Sequence, residues 1–229
     1  MKKERKLTAL AGVFYVLGTV FGVLSMLFTA TLRGDDNLLG LVNQNPNSLV
    51  TGALFVLLMG LSLSFMAIVL YPVLQRQNAM FAMGYVVFRG GIEMVMYIAS
   101  VLSWLFLLPL SRYVVQNGLL MDAGVNAFAQ TLLNTDQIAL ISTIVFLIGA
   151  IMFYVTLYQG RLVPRWLSGW GLIAAVPYLA AYLLQIFSVI SDADPIFAVL
   201  VAPLAIQEMV LAGWMIVKGF NTAAVKQTA

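Results

Sequence analysis

AMFAMGYVVFRGGIEMVMYIASVLSWLFLLPL, residues Ala79–Leu110, decides the class of this chain. It is apolar along its whole length, and Arg89 and Glu93 are its only charged residues. About 20 apolar residues, rising 1.5 Å each, cross the roughly 30 Å hydrocarbon layer of a bilayer. This stretch exceeds that length, so it is either tilted or projects beyond the membrane. Five other stretches of the same kind accompany it: Leu7–Leu32, Ser48–Leu74, Gln137–Tyr158, Trp166–Ile190 and Ile196–Val217. The expected fold is all-α: one transmembrane domain over residues 1–229, a polytopic bundle of about six helices.

Composition agrees. Of the 229 residues, 62% are hydrophobic and 9% are charged, with a mean hydropathy of +0.98. A soluble domain carries roughly a quarter charged residues, so the solvent for this surface is lipid. The basic start, Lys2-Lys3-Glu4-Arg5-Lys6, imitates a signal peptide. The apolar run behind it is longer than an h-region of about 7–15 residues, and it reads as a retained first span.

Lys and Arg accumulate on the cytoplasmic side of membrane proteins. With both termini inside, the inner segments hold Lys2, Lys3, Arg5, Lys6, Arg76, Arg161, Arg165, Lys218 and Lys226. The outer segments hold Arg33 and Arg112. The expectation is an N-in, C-in protein of a bacterial inner membrane. The net charge of +3 is thus an orientation signal, and no nucleic-acid partner is expected. Of the two long outer segments, residues 33–47 read as a polar loop. In 111–135, Met121, Val125, Phe128 and Leu132 recur at helical spacing, which fits a short helix on the membrane surface or a cap over the bundle.

What is missing removes function classes. Without Cys or His there is no disulfide framework, thiolate nucleophile, Ser-His machinery or HExxH metal site. No GxxxxGK[ST] is present, no span carries an Asp pair and none carries a Lys. The reading leans away from an enzyme and assigns no catalytic residue, metal or cofactor.

The informative residues are ionisable groups inside spans, which are rare there and face protein or water. Arg89 lies about 16 Å along its helix from Asn78, and Glu208 about 15 Å along its own from Lys218. The two helices run oppositely, so both groups sit at similar depth. Arg89 and Glu93 share a face, but Arg preceding Glu is the weaker orientation of a helical pair. The expectation is that Arg89 bridges to Glu208, with Glu93 as second partner. Tyr85, Arg89, Glu93, Tyr97, Ser100 and Trp104 form one polar and aromatic stripe facing the interior. Tyr178, Tyr182 and Gln185 share a face of the fifth span as cavity lining or core. Ile92–Val95 echoes Gln207–Val210 around the two Glu residues, a short hint of inverted repeats. Gly18 and Gly22 have the spacing of a close helix–helix contact, inside the bundle or between two copies.

Four segments carry a family resemblance: Leu70–Arg76, Phe88–Met94, Leu162–Leu172 and Glu208–Phe220. In their order and spacing the chain resembles a bacterial integral membrane family known as domain of unknown function 4386. The resemblance implies a compact unit of about six helices. It also implies that Arg89, Glu93, Glu208 and the Pro164-Arg165-Trp166 linker are typical of the family. It carries no activity with it. Two functional readings stand. In one, the interior site of Arg89, Glu93 and Glu208 binds or moves a small solute, ion or lipid. In the other, the chain is a membrane scaffold or sensor subunit with a purely structural ion network.

Overall fold

The computed structural model describes residues 2–119 and 122–221. Met121 and Lys226, used above, lie outside the described residues. Helices are α1 (Lys2–Thr29, extended by a 3-10 turn at Ala30–Leu32), α2 (Leu38–Gln44), α3 (Pro46–Leu74) and α4 (Ala79–Tyr85). A π-helical segment, Val86–Ile92, joins α4 to α5 (Glu93–Gln116). Then come α6 (Ala123–Asn134), α7 (Asp136–Gln159), α8 (Arg165–Ile186) and α9 (Pro195–Val217). Among the described residues there is no strand. Six helical stretches are long and apolar enough to cross a membrane.

Their outward faces are made for hydrocarbon. Ile173 and Val176 are 75% and 71% exposed on α8, and Leu27, Ile68 and Val199 are exposed in the same way. Water would not tolerate so much contiguous apolar surface, whereas lipid tails do. Inside, buried side chains form two clusters. The larger joins Tyr15, Met66, Leu70, Tyr85, Phe153 and Leu211 toward the end where α1 begins and α9 stops. The smaller joins Leu38, Leu49, Trp104, Leu107 and Leu133 at the other end. Met59 and Tyr97 touch both.

Several expectations need correction. Residues 33–47 are not simply a loop, because α2 lies within them. Leu38, Leu39 and Val42 are buried there, and this apolar face docks on α5, which outweighs the polar flanks. The fifth helix stops at Ile186 rather than Ile190: Ser188 takes a left-handed φ of 56°, which ends the α-helical repeat. The helix α6 is capped by Asp122, whose side chain accepts from the Val125 N–H at 2.9 Å. It caps the bundle over α2 and α5. Its buried residues are Ala129 and Leu133, while Phe128 points outward, so the inward face is turned by about one residue from the one read above. Trp104 Nε1 and Ser103 Oγ donate to the carbonyls of Leu133 and Leu132, both at 2.7 Å. They satisfy the carbonyls at the end of α6 that have no partner within the helix.

Gly18 and Gly22 face α3 of the same chain. A Cβ added at Gly18 would meet Leu63 at 2.8 Å, and one at Gly22 would meet the Met59 sulfur at 2.9 Å. The close contact that their spacing announces is made within the bundle.

Candidate functional site

The π-helical turn creates the site. Gly90 and Gly91 are weak helix formers, and a wider turn leaves backbone groups that need outside partners. Ser64 Oγ, from α3, donates to the Gly90 carbonyl at 2.9 Å. Gly149 on α7 lets that helix press against the turn. A Cβ there would lie 3.2 Å from Phe88 Cβ and 3.3 Å from the Arg89 nitrogen.

Arg89 is thereby held in the interior at 5% exposure. Its Nη1 donates to both Glu93 oxygens, at 2.8 and 3.0 Å. Tyr97 adds a hydrogen bond to Glu93 Oε1 at 2.7 Å. Nη2 lies 3.7 Å from Glu208 Oε1, an ion pair without a hydrogen bond. The partners are therefore reversed from expectation. The orientation preference of an exposed helical pair is worth only a few tenths of a kcal/mol. In a buried site the nearer carboxylate wins, because an unpaired charge there costs several kcal/mol. The guanidinium also lies 4.5 Å from the Phe146 ring centre and 5.9 Å from that of Tyr15.

Glu208 is the group left over. Its side chain is 18% exposed, and its Oε1 is buried without a hydrogen-bond donor. The neighbouring Gln207 is fully satisfied: Tyr154 donates to its Oε1 at 2.9 Å, and its Nε2 donates to the Leu167 carbonyl at 3.0 Å. That buried link ties α7, α8 and α9 together beside Glu208.

On the other side of the site is a cavity of about 360 Å³, where the two apolar clusters meet. Arg89, Glu93 and Glu208 form its deep end. Tyr15, Tyr97, Trp104, Phe146, Tyr178 and Tyr182 supply aromatic walls. Thr19, Ser100, Ser142 and Thr143 add hydroxyls, and the cavity reaches Arg33, just past the end of α1, and Thr135, just before α7. Of the residues singled out in the sequence, Tyr85 lies outside this lining. It stacks on Phe153 at 4.7 Å, with its hydroxyl buried and without a hydrogen bond. Gln185 is likewise absent from the lining, and donates to Asp136 Oδ1 at 3.3 Å.

Arg33 had no functional reading in the sequence. Its Nη1 donates to Asn134 Oδ1 at 3.2 Å, its Nε is buried without a partner, and its guanidinium lies 5.8 Å from the Trp104 ring centre. Burial pulls its pKa below the usual arginine value, opposed by the charges of Asp192 and Asp136. Thr19 and Ser142-Thr143, hydroxyl residues inside apolar spans that the sequence reading passed over, are the signal that could have found the polar lining.

A protein-family model described as a domain of unknown function, DUF4386, matches residues 10–219. No curated protein and no solved structure matches the chain.

Proposed function

We propose, for a chain that belongs to the DUF4386 family, that it is a multi-pass membrane protein binding a small organic cation in its interior cavity. Access is from the end marked by Arg33 and Thr135, and both termini lie in the cytoplasm. The observation that carries this reading is Glu208: an acid beside a paired Arg89 and Glu93 whose Oε1 is buried without a hydrogen-bond donor and which lines the cavity. Intramembrane acids are costly, and they recur on the paths of ions and substrates. Arg89 is already engaged by Glu93, so the trio's formal balance is one positive against two negative charges. A cation restores that balance. Glu208 would accept its N–H, and the aromatic walls would receive its charge through their π faces. Arg33 at the mouth is matched by Asp136 and Asp192. A cavity of this volume falls in the usual range for small-ligand sites, about 300–1,000 Å³. The closed Tyr154–Gln207 link beside Glu208 supports access from one side at a time, as a carrier requires.

The test is thermal stability in detergent with methylammonium or dimethylammonium chloride, against sodium acetate at equal ionic strength. The ammonium salts raise Tm in the wild type and not in Glu208→Gln. Stabilisation by acetate instead would assign the site to anions through Arg89. The tight Arg89–Glu93–Tyr97 contacts favour the second reading, a scaffold or sensor subunit with a structural network. That reading is upheld if no salt shifts Tm and Glu208→Gln destabilises the fold as much as Glu93→Gln.

A further inference from the structure

A second pocket lies at the end of the bundle where α1 begins and α9 stops, remote from the cavity described above. The turn between α7 and α8, the first turn of α8 and the end of α9 enclose about 690 Å³. The backbone N–H of Asn221 donates to the Leu162 carbonyl at 2.8 Å and clips the two sides together. Leu162, Val163 and Phe220 are buried behind it, and Trp214 lines it. The side chains around the rim are Arg161, Arg165 and Lys218, all exposed.

Among the described residues no acid forms an ion pair with these three cations. Among the described residues at this end the acid is Glu4, and it pairs with Arg76 at 2.9 Å. The neighbouring Arg5 is spent on the end of α9, donating to the Val217 and Lys218 carbonyls at 2.8 and 3.1 Å. Arg161 stands at a left-handed position, φ 49°, where glycine or asparagine would be easier. Arg165 is steadied over the Tyr158 ring at 5.2 Å. Close by, Trp166 is 57% exposed and stacks on Trp170, as indoles do at the level of lipid headgroups. Val217, beside Lys218, is 64% exposed, and with Ile216 it offers a path along α9 for an acyl chain.

We propose that this pocket binds the phosphate headgroup of an anionic lipid. Arg161, Arg165 and Lys218 hold the phosphate, and the acyl chains run along the exposed face of α9. The pairing of a cationic rim with an adjoining lipid-facing apolar track favours a lipid over free phosphate, and basic pockets of this kind between membrane helices suit such headgroups.

The experiment is native mass spectrometry of the full chain, titrated with phosphatidylglycerol or with phosphatidylcholine of the same acyl chains. Wild type retains phosphatidylglycerol at least about tenfold better. The triple variant R161Q/R165Q/K218Q lowers that retention on the order of 100-fold, roughly fivefold per charge. The control K3Q/K6Q, basic residues of the same end outside the pocket, changes it little. Should the triple variant fail to fold, R161Q alone lowers retention roughly fivefold. Equal binding of the two lipids, an undiminished triple variant, or an equal loss in the control would overturn the proposal. Displacement of the lipid by excess inorganic phosphate at equal occupancy would overturn the lipid assignment in favour of a free phosphate.

Discussion

Glu93→Gln and Glu208→Gln remove the same charge from opposite sides of Arg89, and their effects on stability should differ sharply. Glu93 is 1% exposed and accepts two hydrogen bonds from Arg89 and one from Tyr97. Deleting one charge of a buried pair costs about 3–5 kcal/mol, with the lower end expected here because Gln still accepts from Tyr97. Glu208 has no donor at its Oε1, stands 3.7 Å from Arg89 and has a side chain 18% exposed, so its loss should stay within about 1 kcal/mol. The assay is a pair of double-mutant cycles with Arg89→Gln, read as equilibrium unfolding in mixed micelles by tryptophan fluorescence. The Arg89–Glu93 coupling should exceed roughly 2 kcal/mol, and the Arg89–Glu208 coupling should stay below about 1 kcal/mol. If the second coupling equals the first, Glu208 is a structural staple and the reasoning that frees it for a ligand is wrong.

The remaining predictions concern neighbouring parts of the molecule. Gly149→Val should lower stability by about 1–3 kcal/mol, because its methyls would overlap Phe88 and the Arg89 backbone; an unchanged Tm would contradict that packing. Tyr154→Phe leaves Gln207 Oε1 without its donor and should cost about 1–3 kcal/mol, measured by the same unfolding assay. The chain has no cysteine, so single-cysteine variants report access cleanly. Ser100→Cys and Ser142→Cys should react with a membrane-impermeant thiol reagent added at the Arg33 end, and protection of both would mean a sealed cavity. Asp122→Ala should destabilise α6 by about 1 kcal/mol and speed hydrogen exchange there without affecting α8.

The spans are legible because apolar length alone marks a membrane helix, whatever its neighbours. The meeting of Arg89 with Glu208 is legible too, since helical rise places both at one depth. What escapes the sequence depends on contacts between distant segments. The helix at Leu38–Gln44 sits in a polar stretch, and only its docking on α5 reveals why Leu38, Leu39 and Val42 are there. The choice of Glu93 over Glu208 by Arg89 turns on a difference of about an ångström, which no spacing rule resolves. The inward face of α6 is set by Trp104 and Ser103 reaching over from α5. The cavity is a remainder between two packed clusters, and a remainder has no sequence pattern. Only its hydroxyl residues left a trace.

The π-helical segment also bears on how this chain tolerates changes in length. Elsewhere in a span, losing one residue turns everything beyond it by roughly 100° and misplaces every face. Within Val86–Ile92 the same loss would convert a wide turn into a regular one, leaving the helix continuous and the faces of α4 and α5 close to their present register. Glu93, Tyr97 and Trp104 would keep their inward face, while the turn that carries Arg89 and offers the Gly90 carbonyl to Ser64 would be rebuilt. A one-residue deletion at this place is thus a way to disturb the turn that holds Arg89 while keeping the helix and its faces.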